Sequence, residues 1–265
     1  MDNRSIGIFD SGVGGIVVLS EIIKLLPNES FIYLGDTARF PYGSKSKENI
    51  IKYTKESIKF FKEKGVKAIV VACGTASSTL LEVLKENYDV PIIGVLEPVI
   101  KRLGNNEKIG VMATSRTINE KAWDRLINDY YPRTKIIGVS CPILAPLAET
   151  GWTNNEIAKL TIKEYLKEFK TENISKLILG CTHYPLFKDL IKEELAGVEL
   201  IDLGEEVATY LKEFLTESEI LNKDYGSTKY EIFLTDVDES YLKTFNNLLV
   251  NQSGIKDFEI KKTIL

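Results

Sequence analysis

Residues 67–78 read KAIVVACGTASS, and residues 175–186 read SKLILGCTHYPL. Each is a short apolar run that stops at a cysteine and is followed by small or hydroxyl residues and the start of a helical pattern. The run Ala68-Ile69-Val70-Val71-Ala72, bounded by Gly65 and Gly74, predicts a strand buried on both faces. In a parallel α/β sheet, ligands bind where strands end and helices begin. Cys73 and Cys181 are therefore placed at the functional edge of two strands, in two similar halves of one chain.

Outward from these two stretches, strand-like runs alternate with amphipathic segments. The strands are predicted at 5–9, 30–34, 67–72, 91–96, 108–113, 135–139, 176–179, 198–202 and 230–234. Between them, residues 47–64 put Ile50, Ile51, Ile58 and Phe61 on one side and lysines and glutamates on the other, which is helical spacing. Ser46 is placed to cap that helix, with Glu48 in its first turn and Gly65 as its stop. Alternation of this kind implies crossover connections and mainly parallel sheets.

An internal repeat adds to this. Ser5-Ile6-Gly7-Ile8-Phe9-Asp10-Ser11 matches Lys108-Ile109-Gly110-Val111-Met112-Ala113-Thr114 in pattern, and the Cys73 and Cys181 segments recur at a similar offset. A repeat of about a hundred residues is a duplicated domain, not a solenoid. The expected fold is thus α/β, with two pseudo-symmetric domains of mainly parallel sheet and the site in the cleft between them. The first domain is expected at 1–96 plus 204–265 and the second at 97–203. The tail returns to complete the first domain as a helix–strand–helix remnant.

Composition narrows the function. The 265 residues are 44% hydrophobic and 27% charged, as in ordinary globular proteins. A net charge of −4 argues against nonspecific nucleic-acid binding, which needs a basic footprint. The N-terminus MDNRSIGIFDSG lacks the apolar run and cleavage site of a signal peptide. No apolar segment approaches the ~20 residues that span a bilayer. A cytoplasmic protein without a membrane partner is expected. Three distant cysteines, Cys73, Cys141 and Cys181, do not form a disulfide framework, and with His183 the lone histidine no metal site is expected.

Several motifs carry a plain reading and a functional one. Asp10–Gly15, DSGVGG, is a tight strand-to-helix turn, or it sets Asp10 and Ser11 beside backbone N–H groups that hold a carboxylate. It is not GxGxxG and lacks the Lys-Ser/Thr of a P-loop. The loop 36–43, DTARFPYG, carries Pro41, Tyr42 and Gly43 away from a strand end, where packing or ligand contact is open to it. Cys141, in Ser140-Cys141-Pro142, is read as structural. Glu149 is placed in a loop near Gly151, as a surface carboxylate or a general-acid partner.

Two thiols from mirrored halves suit inversion of a stereocentre, because a base on each face of a planar carbanion need not move. The Cα–H of an amino acid is a far weaker acid than a thiol, by on the order of ten pK units or 14 kcal/mol. The site must strengthen its base and stabilise the carbanion in a water-poor cleft. Asp10 is placed to orient or deprotonate Cys73, and His183, with Glu149, to serve Cys181. Threonine hydroxyls and backbone N–H groups are placed to hold the substrate carboxylates.

Asp10-Ser11-Gly12-Val13-Gly14-Gly15, Pro41-Tyr42-Gly43, Ala72-Cys73 with Thr75-Ala76, and Gly180-Cys181-Thr182-His183-Tyr184-Pro185 together resemble the cofactor-independent glutamate racemase family, over essentially the whole chain. The resemblance implies interconversion of L- and D-glutamate, with the D-isomer feeding peptidoglycan, by a homodimer without cofactor or metal. It implies Cys73 and Cys181 as the acid/base residues, with Asp10, Glu149 and His183 as helpers. Asp10, Ser11, Pro41, Tyr42, Gly43, Gly74, Thr75, Thr182 and His183 are implied as substrate-binding. The family usually has Asn where this chain has Gly74, so a substrate-contacting amide is missing and a sibling acting on aspartate or another acidic substrate stays open. A non-catalytic two-domain amino-acid-binding protein is the alternative from another class. The first strand begins almost at Met1, so regulation through an N-terminal extension is not expected.

Overall fold

In the computed structural model, residues 2–84, 86–223, 228–237 and 258–265 are described, with positions 242, 245, 246, 248, 249 and 255 between the last two stretches. Among the described residues, ten strands form two sheets: β1 (Ile6–Asp10), β2 (Phe31–Gly35), β3 (Ala68–Val71), β4 (Ile92–Gly94), β5 (Lys108–Ala113), β6 (Lys135–Ser140), β7 (Lys176–Leu179), β8 (Glu199–Asp202), β9 (Tyr230–Leu234) and β10 (Glu259–Lys262). The first sheet runs β10-β9-β2-β1-β3-β4 and the second β6-β5-β7-β8. Every pairing is parallel; Ile6, for example, stands opposite both Phe31 and Ala68.

The order β2-β1-β3-β4 recurs as β6-β5-β7-β8. Cys73 therefore follows β3 as Cys181 follows β7, at equivalent strand ends. Central strands bury every residue, since helices cover both sheet faces: β1 and β3 are buried throughout. Alternation of side chains then divides the core. Ile6, Ile8 and Val70 of the first sheet join Ile109, Val111 and Ile178 of the second in one apolar cluster. Phe9, Ile69 and Val71 point the other way, onto the helix Lys47–Glu63, while Met112, Leu177 and Leu179 face Ile162 and Phe169. The two sheets thus share a core and each has a smaller one outside it.

Helix Lys47–Glu63 starts as its sequence requires: the Ser46 side chain accepts from the Asn49 N–H, and Glu48 lies in the first turn. It stops before Gly65, whose φ of 68° only a residue without Cβ adopts without strain. Helix Leu203–Glu217 packs along helix Gly15–Leu25, pressing Val207, Leu211 and Leu215 into the cluster that holds Ile16, Leu19 and Ile22. The nine expected strands all form, with β4 shortened because Leu96 already starts a helix. The tail differs from expectation: it ends in a tenth strand, Glu259–Lys262, whose half-exposed EIKK is the polar face of a sheet edge and shows no apolar run. The second helix expected in the tail falls largely outside the described residues.

Away from the strand ends that carry the thiols, Lys67 lies fully buried just before β3. Its ammonium donates to the Asp2 carbonyl at 2.7 Å and the Ile220 carbonyl at 2.8 Å, and pairs with Glu29 at 2.7 Å. Glu29 also accepts from the Asn222 N–H at 2.8 Å, so the pair ties the N-terminus to the segment after helix Leu203–Glu217. Removing one partner of a buried pair leaves an uncompensated charge, which costs about 3–5 kcal/mol. Lys67→Met should therefore lower the unfolding free energy by about 3 kcal/mol in urea titrations with an unchanged m-value; a loss under about 1 kcal/mol would show that the pair does little.

Candidate active site

Residues that follow five strands meet around one small cavity. From the first lobe, Ser11 follows β1, Pro41, Tyr42 and Gly43 come from the loop after β2, and Cys73, Gly74 and Thr75 follow β3; from the second, Thr114 follows β5, and Cys181, Thr182 and His183 follow β7. Phe40 and Ala145 complete the lining, and the cavity volume is about 20 Å³. That is room for about one water.

Cys73 is buried, and its thiol donates to the Ser11 hydroxyl at 3.5 Å. Burial and the nearby Asp10 carboxylate push the thiol up to about 12, against the smaller pull of Ser11 and the Ala76 N–H. Asp10 acts on Cys73 through charge; its own oxygens accept from the Gly12 N–H at 2.9 Å and the Thr182 hydroxyl at 3.3 Å. Fully buried, Asp10 is raised above the usual carboxylate range by desolvation, with His183 opposing.

Cys181 has a different companion. Its sulfur lies 3.6 Å from His183 Nδ1, while His183 Nε2 is 2.7 Å from Glu149 Oε1. Burial disfavours a charged imidazole, but the hydrogen bonds and charges of Cys181 and Glu149 outweigh it and hold the ring well above its ordinary value. The Glu149 oxygen that meets His183 also accepts from the Val13 N–H across the cleft at 3.3 Å. Phe40 packs at 5.8 Å on the imidazole.

Glu149 corrects the sequence reading in its placement. It ends helix Leu144–Glu149 and is only 8% exposed, so it is neither a loop residue nor a surface carboxylate. Asp10 and Glu149 stand behind the cavity wall, whereas the other expected residues line it. Tyr42 turns its phenol away, donating to Asp36 inside a pocket with Arg39. Cys141 is fully buried among apolar side chains, and burial pushes its thiol up as well.

Three cavity residues were not anticipated: Phe40, Thr114 and Ala145. Thr114 Oγ1 lies 2.9 Å from Thr75 Oγ1 and 3.0 Å from Thr117 Oγ1, a hydroxyl cluster spanning the lobes. The repeat carried the signal, since it aligns Thr114 with Ser11. Among the described residues there is no cluster of His, Cys, Asp and Glu able to hold a metal, and no helix long and apolar enough to cross a membrane.

A family model described as Asp/Glu/hydantoin racemase matches residues 17–211. The chain is 41% identical over 255 residues to a glutamate racemase of Geobacter metallireducens, covering 95% of this chain and 94% of that one. It is 45% identical over 235 residues to the glutamate racemase of Aquifex pyrophilus, covering 88% and 89%. Its fold superposes with a TM-score of 0.91 on glutamate racemase from Francisella tularensis in complex with D-glutamate, at 35% identity and 99% and 98% coverage.

Because folding raises the His183 pKa, the native chain binds that proton more tightly than the unfolded chain. The stabilisation is fully present below the unfolded value, near about 6.5, and is lost as pH rises through the folded value. The parent Tm should therefore decline as pH rises from about 6.5 to 8.5, more steeply than that of His183→Asn. Parallel declines in the two proteins, followed by calorimetry, would contradict this coupling.

Proposed function

The chain belongs to the Asp/Glu/hydantoin racemase family and is an isomerase of the glutamate racemase kind, and from that premise we propose that two opposed thiols, Cys73 and Cys181, move the α-proton of glutamate. The observation that carries the reading is that both sulfurs, one from each lobe, line the same small cavity. The lobes must part beyond this one-water volume to admit a small acidic molecule, and a molecule admitted at this point lies between the two sulfurs.

One cysteine, as thiolate, takes the α-hydrogen as a proton, and the C–H electron pair stays on the substrate, shared between Cα and its carboxylate. The other cysteine gives its S–H proton to the opposite face and becomes the thiolate. No electrons are gained or lost, and no cofactor enters. The enzyme is left in the complementary protonation state, reset by proton exchange when the cleft opens.

Each thiol has its own helper in this scheme. Ser11 orients Cys73 by hydrogen bond, and Asp10 strengthens it as a base by charge. His183, held by Glu149, exchanges a proton with Cys181 or carries positive charge beside its thiolate. Ser11, Pro41, Tyr42, Gly43, Gly74, Thr75, Thr182 and His183 surround the substrate, with hydroxyls and backbone N–H groups on its carboxylates. The lobes correspond to residues 1–96 with 204–265 and to 97–203, and the working protein is a cytoplasmic homodimer supplying D-glutamate for peptidoglycan.

Incubation with L-glutamate in D2O, without cofactor, should exchange the α-proton and drive optical rotation to zero; no exchange from folded protein would remove the reading. Cys73→Ser and Cys181→Ser should each lower racemisation by at least about 100-fold, the lower end for a lost acid/base group. Full activity in either variant would refute its assigned role. Faster turnover of L-aspartate than of L-glutamate in competition would move the substrate to the sibling class.

A further inference from the structure

The lobes meet at the cavity rim through glycine backbone. A Cβ on Gly12 would lie 2.9 Å from Glu149 Oε1, on Gly14 2.4 Å from the His183 ring, and on Gly43 2.7 Å from Thr114. In each of these the obstructing atom belongs to a side chain. Gly74 is different: its Cβ would lie 2.5 Å from the carbonyl oxygen of Gly180, which is backbone on the opposite lobe.

A carbonyl cannot rotate aside as a side chain does. Gly180 is further held by its own N–H, which donates at 2.7 Å to Met112 O in the neighbouring strand, and a Cβ on it would meet that same oxygen at 2.8 Å. On the other side, Gly74 opens the short helix Gly74–Ser77, and its carbonyl accepts from the Ser78 N–H. Each backbone is thus tied by a hydrogen bond of its own. C···O contacts ordinarily begin near about 3.3 Å, so a methyl at position 74 requires roughly 0.8 Å of extra separation. Each contact point adjoins a sulfur, since Gly74 follows Cys73 and Gly180 precedes Cys181.

We infer that Gly74 is a positioning residue that sets how far the two lobes close, and with it the spacing of the two thiols. Seating of the Gly180 carbonyl on the Gly74 Cα lets the Asp10–Thr182, Val13–Glu149 and Thr75–Thr114 hydrogen bonds form together across the cleft. A side chain at 74 props the rim open and strains all three. The space that a larger residue would occupy is filled by the opposite lobe, so the absence of a side chain tightens the site and does not enlarge it. The consequence for turnover rests on the two-thiol reading; the consequence for closure does not.

The test uses the full chain with Gly74→Ala and Gly74→Asn. Thiol accessibility is read first, by iodoacetamide labelling without substrate and peptide mass spectrometry, with fully buried Cys141 as the internal control of folding. Labelling of Cys73 and Cys181 should rise several-fold in both variants, with Cys141 unchanged and Tm kept. Racemisation should fall on the order of 10–100-fold, mainly in kcat, as misplacement by about 1 Å of reacting groups does. Unchanged labelling of the two thiols in either folded variant would overturn the inference, and so would parental turnover in Gly74→Asn. Failure of the two-thiol reading would appear elsewhere, as no α-proton exchange by the parent, with the labelling contrast still present.

Discussion

A single carboxylate oxygen, Glu149 Oε1, is the point on which the site depends. It meets His183 Nε2 at 2.7 Å within its own lobe and accepts from the Val13 N–H of the other at 3.3 Å. The first contact fixes which imidazole nitrogen faces Cys181. The second ties that orientation to the turn that presents Asp10 and Ser11. In so dry a cleft these bonds are electrostatically stronger than in water. Separating the two sides would stretch the Val13 contact and admit water to His183, weakening the partners that raise its pKa.

Repetition of the fold does not make the two halves chemically alike. The order β2-β1-β3-β4 recurs in β6-β5-β7-β8 and delivers a cysteine to the same strand end twice. One thiol then meets a hydroxyl and a buried carboxylate, and the other an imidazole backed by a carboxylate. For mirror-image substrates of equal energy, kcat/KM must be identical in both directions at every pH. If both thiols act as proposed, the two environments can differ in how they stabilise their thiolates but cannot favour one direction overall. Asymmetry of this kind moves effort between kcat and KM.

Much of this was legible in the sequence where burial was complete. IGIFD, AIVV and KLIL read as strands because helices cover both faces of a parallel sheet, so almost no polar position interrupts them. The strand-end cysteines followed from those runs. The edge strand Glu259–Lys262 escaped because an edge carries charged residues in place of an apolar run. Glu149 was misplaced because LAPLAE contains a proline and sits one residue before Thr150-Gly151, which reads as a loop; burial of its carboxylate comes from Val13 and His183, distant in sequence. Thr114 was reachable, since the repeat set it against Ser11, yet a periodicity argument says nothing of what a hydroxyl faces.

The thiol pushed up to about 12 invites the conclusion that burial accelerates the proposed reaction by making a stronger base, and the arithmetic does not support it. Forming that thiolate at pH 7 costs about 5 pK units, or roughly 7 kcal/mol, and the carbon acid then meets a correspondingly stronger base. The two changes cancel: the free energy of reaching the carbanion from the resting thiol depends on the acidity of Cα–H and the pH, not on the thiol. Acceleration must come from the substrate side. In this cavity the groups available for it are His183, held toward its charged form by its partners, the hydroxyls of Ser11, Thr75, Thr114 and Thr182, and the backbone N–H groups at the strand ends. Fixed dipoles in a water-poor site stabilise developing charge without reorganising at the moment of reaction. Exclusion of water from around those dipoles thus serves the carbanion more than it serves the base.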